Sequence, residues 1–297
     1  MKRAMVVGLV GVLLGGLAAS GCVIREVRVG DDGDGDGGRG GAAGAVGPKD
    51  WACLEEEPLE PTKNVVSLQL EVIDASTNRP STNAFVRTCA PFEADCEPLG
   101  APVQVDVTGK ATLQVPEDFT GFLQVYGPKG PDVDDPTFVR VMVYFPTREV
   151  LRGARDRRIL VFSTAVMRSL AQLGGGTFEP DTSAPGDLPT ADNGLVLLTT
   201  LDCDSKPAAR ISYELLGDSQ RTEQTSRFYM LGSPGVNLPS TIPIETDASG
   251  GGGFTNVKAG LAVFSAKLNT LDRFVTKDTG TAAFVRPGWY TQVYISP

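Results

Sequence analysis

From Val65 to Ile73 apolar and polar residues alternate. Val66, Leu68, Leu70 and Val72 fall on one face, and Ser67, Gln69 and Glu71 on the other. A period of two predicts a half-buried β-strand. Similar short runs follow at Ala84–Thr88, Val103–Val107, Lys110–Val115, Gly121–Tyr126, Phe138–Phe145 and Arg158–Phe162. A second set occupies Leu195–Leu201, Arg210–Leu215, Arg227–Leu231, Phe254–Val257, Gly260–Leu268, Thr281–Val285 and Trp289–Ile295. Polar turns such as Asp74–Pro80 and Asp202–Pro207 separate the runs. One stretch has helical spacing. Ser163 caps it, Val166, Met167 and Leu170 share a face, and Gly174–Gly176 stop it after Leu173. The pattern predicts an all-β protein: two seven-stranded sandwiches in tandem, with one short connecting helix.

The N-terminal pattern is different. Met1, Lys2 and Arg3 precede an uncharged run rich in Val, Leu and Gly, which ends in Ala18-Ala19-Ser20-Gly21-Cys22. A basic start, an apolar middle and small residues before a cut describe a secretory signal peptide. The closing cysteine resembles the lipobox of bacterial lipoproteins, with Ala19 where that family usually has Leu. The resemblance implies cleavage before Cys22 and acylation of Cys22. Val23, standing where Asp retains many such proteins at the inner membrane, implies the outer membrane. The competing reading is an uncleaved membrane helix over Ala4–Ile24, which its glycines disfavour.

Gly30 to Gly47 contains nine glycines in eighteen residues, together with repelling Asp side chains. Such a stretch cannot build a core and is predicted to be a disordered tether. Its flexible span from Cys22 to Lys49 is ~28 Å. Asp32–Gly37 resembles the first half of an EF-hand loop, but Ala43 stands where the bidentate Glu belongs. The expected organisation is therefore a leader (1–21), a tether (22–49), a first sandwich ending in the helix (50–176), a linker (177–193) and a second sandwich (194–297).

Composition removes several functions. The chain has no histidine, which excludes Ser-His-Asp and Cys-His catalysis and His-ligated metal sites. Setting aside Lys2 and Arg3, 25 basic residues face 36 acidic ones, a net charge of −11. That balance opposes a nucleic-acid partner. Four cysteines remain beside Cys22, an even number that reads as two disulfides in an exported chain. Three pairings are possible. Proximity favours Cys89–Cys96, which leaves Cys53–Cys203 by elimination. A Cys₄ zinc site lacks the usual C-x-x-C spacing, and neither a metal nor a cofactor is expected.

One motif occurs in both halves. Asp106-Val107-Thr108-Gly109 precedes the strand carrying Ala111, Leu113 and Val115, and Thr246-Asp247-Ala248-Ser249-Gly250 precedes the strand carrying Phe254. An Asp side chain accepts the N–H groups ahead of it, and the Gly takes the left-handed position of the turn. The second copy continues through Asn256, Val257 and Gly260. It resembles the carboxypeptidase regulatory-like family, whose pattern runs T-D-x-x-G-x-[FY]-x-F-x-N-[LV]-P-x-G-x-Y. Gly252, Lys258 and Ala262 depart from it. The resemblance implies an immunoglobulin- or transthyretin-like sandwich used as an accessory module in exported proteins, without the family's associated peptidase domain.

Candidate sites are few. In Trp289–Ile295, Trp289, Thr291, Val293 and Ile295 form the expected core face. Tyr290, Gln292 and Tyr294 form the other, where two rings flanking an amide suit a sugar or a partner chain. A plain cross-strand ladder is the competing reading. Asp132, Asp134 and Asp135 share a loop, the one place for a carboxylate pair. Arg148–Arg158 carries five arginines and reads as a solvated connection, since Glu149 and Asp156 interrupt it. No catalytic residue is assigned. The expected function is non-enzymatic: a lipid-anchored envelope protein, membrane-bound through its acyl chains, that presents two modules for binding or assembly with an envelope protein or glycan. A carbohydrate-binding surface lipoprotein and a carboxylate-pair hydrolase are the alternatives.

Overall fold

A computed structural model describes residues 48–297, apart from 57–59, 61, 63, 92–95, 132–134, 136, 152, 154–156, 182–190, 234–235 and 277–279. The leader, Cys22, nearly all of the tether, Asp132, Asp134 and most of the linker lie outside the described residues. A 3-10 segment, Pro48–Glu55, opens the described chain. The first half then holds β1 (Val65–Asp74), β2 (Arg79–Pro80), β3 (Phe85–Cys89), β4 (Val103–Gln104), β5 (Lys110–Pro116), β6 (Phe122–Tyr126) and β7 (Val141–Tyr144). A short helix α1 (Thr147–Leu151), strand β8 (Arg157–Val161) and helix α2 (Thr164–Leu173) close it. The second half holds β9 (Asn193–Thr200), β10 (Ile211–Leu216), β11 (Ser226–Ser233), β12 (Val236–Ser240) and β13 (Gly251–Lys258). It ends with β14 (Gly260–Leu268), β15 (Arg273–Phe274), β16 (Thr281–Val285) and β17 (Tyr290–Ile295).

The protein is all-β with sheet-on-sheet packing. β1 is antiparallel to β2 and β5 and parallel to β8, making one four-stranded sheet. β14 is antiparallel to β10, β15 and β16, making another. Nine strands form the third, in the order β12-β11-β13-β9-β17-β7-β6-β3-β4.

Successive side chains on a strand point to opposite faces, so the two core clusters show how these sheets stack. Val141, Val143, Leu195, Leu197, Tyr290 and Tyr294 join Leu68, Leu70, Leu113 and Ile159 of the β1 sheet. Their neighbours Met142, Tyr144, Val196, Leu198, Val293 and Ile295 join Tyr213, Phe264, Ala266 and Val285 of the β14 sheet. The nine-stranded sheet is therefore a middle layer, covered on one face by the β1 sheet and on the other by the β14 sheet.

The two halves meet in this middle layer. β17 runs parallel to β9, with Thr291 opposite Val196, and parallel to β7, with Thr291 opposite Met142. One sheet thus carries strands from both sides of the predicted linker. All six residues of β17 are buried, as both faces of an interior strand between covered layers should be.

Several elements follow the sequence pattern closely. β5 alternates exposed and buried, with Ala111, Leu113 and Val115 inward. The Ser163 hydroxyl accepts from the Val166 N–H at 3.4 Å at the start of α2, and Gly174 ends the helix. Both favoured disulfides are formed, Cys89–Cys96 with Cα atoms 5.0 Å apart and Cys53–Cys203 with 5.7 Å.

Two elements depart from it. β12 contains Pro239, which argues against a strand, yet β12 is the edge of the middle layer, where a missing N–H is tolerated. Gly251, Gly252 and Gly253 read as turn residues, yet they open β13 between β9 and β11. There the neighbouring chain passes too close for a side chain: a Cβ at Gly253 would stand 2.0 Å from the Val196 carbonyl oxygen.

Gly253→Ala should therefore lower stability by ~1–3 kcal/mol through overpacking. Gly100→Ala, where a Cβ meets nothing within 4 Å, should stay within ~0.5 kcal/mol of the parent. Urea unfolding at unchanged m-value is the measurement, and equal midpoints for the two variants would refute the close-approach account.

Candidate functional site

The Tyr290, Gln292 and Tyr294 face does not meet solvent. Their exposures are 1%, 2% and 5%, because the β1 sheet covers this side of β17. Phe162 packs edge-on to Tyr290 at 5.4 Å, and Phe145 stacks on Tyr294 at 5.0 Å. The Tyr294 hydroxyl donates to the Arg158 carbonyl at 2.7 Å and accepts from Gln292 Nε2 at 2.9 Å. Burial pushes the hydroxyls of both tyrosines above their ordinary pKa. The sequence-level expectation of an open stacking face is corrected: these side chains fill a core, and no sugar reaches them. The opposite face, Trp289, Thr291, Val293 and Ile295, is core as expected. Periodicity cannot reveal that a strand is buried twice, since that depends on a sheet distant in sequence.

The recurring Asp motif is built as the sequence implies. Asp106 Oδ1 accepts the Thr108 N–H at 2.8 Å, the Thr108 hydroxyl at 2.7 Å and the Lys110 N–H at 2.9 Å. These bonds, the Lys110 N–H first, hold its carboxyl below the ordinary value. Gly109 takes φ +82° and Gly250 takes φ +63°. Asp247 accepts the Ser249 N–H at 2.8 Å and the Gly232 N–H at 2.6 Å, so it also ties β11 to the turn before β13. A third copy was not recognised from sequence, because Ser205 stands where the Gly belongs. Asp202 accepts the Asp204 and Lys206 N–H groups at 2.9 Å each, and Ser205 has φ +64°.

The remaining motif residues also hold the fold. The Thr246 hydroxyl accepts from the Ile211 N–H at 3.1 Å and donates to the Ala208 carbonyl at 2.9 Å. Asn256, with φ +52°, accepts the Thr177 N–H at 3.2 Å and donates to the Gln224 carbonyl at 3.0 Å. Asn256 thereby pins the start of the linker to a bulge in β13.

Asp135 is 5% exposed, and its carboxylate accepts the Thr137 N–H and hydroxyl at 3.0 and 2.7 Å and pairs with Lys129 at 3.6 Å. It therefore shapes a turn, while its two predicted neighbours lie outside the described residues. Among the described residues no group of three or more Cys, Asp or Glu side chains is placed to hold a metal ion.

The arginine-rich connection is more ordered than its composition suggests. Glu149 is 1% exposed and accepts from Arg157 Nε at 2.8 Å and from the Ser205 hydroxyl at 2.6 Å. Arg157 also donates to the Ser205 carbonyl at 2.8 Å. This network joins α1 and β8 of the first half to the β9–β10 turn of the second. Trp289 likewise lies between two cations, with Arg140 at 4.6 Å and Arg286 at 4.4 Å from its ring. Neither arrangement is complete locally, because Ser205 reaches the Glu149–Arg157 pair, and Arg140 reaches Trp289, from far along the chain.

No family model matches the chain, and no curated protein matches it. Solved structures give only distant likenesses. The Bacillus anthracis TIE protein has 8% identity and a TM-score of 0.21 over 78% of this chain and 34% of its own. This chain thus spans about a third of that protein's length. The minor pilin of Streptococcus agalactiae has 13% identity and a TM-score of 0.21 over 77% and 94% of the two chains. The shaft pilin SpaA from Lactobacillus rhamnosus GG has 8% identity and a TM-score of 0.23 over 80% and 98%. Scores at this level say nothing of partners or activity.

The two buried tyrosines should respond oppositely to loss of the hydroxyl. Tyr290 Oη is buried without a hydrogen-bond partner among the described residues, so Tyr290→Phe should be neutral or stabilising by up to ~1 kcal/mol. Tyr294→Phe removes the hydroxyl's bonds to the Arg158 carbonyl and Gln292 Nε2, leaving those two only their own 3.3 Å bond, and should cost ~1 kcal/mol. Thermal and urea unfolding of both variants measure this, and equal destabilisation would contradict the bonding described.

Asp247 supplies a pH test. Burial opposes its charge, but the Ser249 hydroxyl and the Gly232 and Ser249 N–H groups outweigh that and hold its carboxyl below the ordinary value. The unfolded group titrates near ~3.9, so between the two values the unfolded state binds more protons and stability rises with pH. This contribution is complete above about pH 5 and is lost as pH falls through the folded value. Asp247→Asn should lose less stability than the parent between about pH 5 and about pH 2. Identical urea-midpoint profiles would refute it.

Proposed function

We propose that this chain is an exported, lipid-anchored protein of the cell envelope, whose β body serves assembly or architecture and performs no catalysis. The observation that carries this reading is the cysteine arithmetic. Cys53, Cys89, Cys96 and Cys203 are consumed in two disulfides, which leaves Cys22 alone at the end of a signal-peptide-like run. Disulfides suit an oxidising compartment, and the odd cysteine stands where a lipoprotein carries its acyl chains. Several acyl chains at ~0.8 kcal/mol per buried CH₂ give stable anchoring. Val23 supports the outer membrane.

The non-catalytic part rests on what the polar residues do. Histidine is missing from the whole sequence. Asp106, Asp202 and Asp247 close turns, and Glu149 is engaged inside the body. Burial of Tyr290 and Tyr294 withdraws the support they lent to a carbohydrate-binding role. The repeated Asp turn and the Asn256 bulge support placing the modules among carboxypeptidase regulatory-like sandwiches, with residues 50–176 and 194–297 as the two modules.

Growth with an alkyne fatty acid should label the parent chain and not Cys22→Ala. The parent should partition into detergent, and the variant should not. A Cys22→Ala chain that still fractionates with membranes at its unprocessed mass would establish a spanning N-terminal helix instead. Cross-linking of the acylated chain in the envelope should then recover one specific protein partner. Turnover of a glycan or peptide by the purified chain would overturn the non-catalytic reading.

A further inference from the structure

The Pro48–Glu55 segment precedes β1 in sequence, but it docks on the opposite side of the middle layer from the β1 sheet. Trp51 is 3% exposed and belongs to the cluster containing Phe122, Met142 and Tyr144, with Leu54 packed against that cluster. Cys53 is bonded to Cys203, 150 residues away in the β9–β10 turn. The segment is therefore a strap on the core between the middle layer and the β14 sheet, and its covalent fastening lies in the other half of the protein.

Beside the burial of Trp51, its ion pairs among the described residues are exposed ones. Trp51 Nε1 is buried without a hydrogen-bond partner among the described residues, which penalises its burial. The segment is 3-10 in form and leaves helical geometry at Trp51 itself, with φ −124° and ψ 15°. Glu55 pairs with Arg273, and Glu56 lies 3.9 Å from Arg148, both with largely exposed carboxylates. The disulfide closes a very long loop, so opening it returns the most chain freedom. The layers beneath hold together through sheet pairing and the Glu149–Arg157–Ser205 network, neither of which includes the strap.

We propose that Pro48–Glu55 is a thiol-controlled strap: opening Cys53–Cys203 lifts Trp51 out of the core between the middle layer and the β14 sheet and leaves the three layers folded. The reductant is a dithiol. Its thiolate attacks Cys203 Sγ, which is partly exposed on a polar turn while Cys53 is buried. The Cys53 sulfur leaves as a thiolate and takes a proton. The second thiol of the reductant then displaces Cys203, which also gains a proton. Two electrons and two protons pass to the protein, and the dithiol becomes a disulfide. The uncovered apolar face is a surface that the oxidised protein hides. The device does not depend on acylation of Cys22.

Tryptophan emission of the full chain tests this, since Trp51 and Trp289 are its only two tryptophans. Dithiothreitol under native conditions should red-shift the parent and leave Trp51→Phe unshifted. Iodoacetamide should then modify Cys53 and Cys203, with the far-UV β spectrum unchanged. A Cys89→Ser/Cys96→Ser double variant should respond like the parent, which assigns the effect to the long-range bridge. Alkylation of Cys53 and Cys203 with no red shift would overturn the proposal, because Trp51 then stays seated without the bond. So would a bridge that resists the dithiol, or a red shift that persists in Trp51→Phe, since the shift would then report Trp289 rather than the strap.

Discussion

The structure depends on the placement of β17 between β7 and β9. An interior parallel strand has no free edge and no free face, so each of its residues must suit a core. Val293 and Ile295 do so by being apolar. Tyr294 and Gln292 do so by bonding to each other and to the Arg158 carbonyl of β8. Because β7 and β9 belong to different halves, the last strand of the chain makes one sheet of what would otherwise be two. Neither half completes this layer without it.

That arrangement explains the use of polar residues around the layers. Turns between short strands leave N–H groups that must be satisfied, and the Asp motif does this locally at positions 106, 202 and 247. Where the two halves meet, the solution is non-local. Glu149 and Arg157 neutralise each other beside Ser205, and Arg140 and Arg286 flank Trp289. A buried ion pair of this kind is costly to break from one side. Its bonds to the Ser205 hydroxyl and carbonyl tie the β9–β10 turn to α1 and β8.

The same turn is where the N-terminal strap is fastened. Cys203 and Ser205 are two residues apart, one covalently joined to residues near the start of the folded body and the other bonded to its middle. A pull arriving at the N-terminal side thus reaches the β9–β10 turn before it reaches β1. For a protein proposed to hang from an acylated N-terminus, that order protects the loop from Cys53 to Cys203 while the bond is intact.

How much of this the sequence shows depends on the range of each interaction. Alternation identified β1, β5, β14 and β16, since a strand with one wet face repeats every two residues. Ser163 and Gly174 marked the ends of α2, because caps act within a turn. The Asp-x-x-Gly turns were legible for the same reason, and the copy ending in Ser205 escaped because a serine rarely takes positive φ. Parity and proximity of the cysteines led to the disulfide pairing that the structure contains.

Tertiary structure decided the rest. The alternation at Tyr290, Gln292 and Tyr294 suggests a stacking face or a cross-strand ladder and carries no local mark of burial. Only the β1 sheet, built from strands between Val65 and Val161, settles which it is. Gly251–Gly253 read as a turn until Val196 passes within van der Waals range of the backbone. The sequence by itself determined the strands, caps and turns, whose free energies come from neighbours along the chain. The sharing of one sheet by both halves came only from the tertiary structure, because it rests on parallel pairing between segments that no local pattern connects.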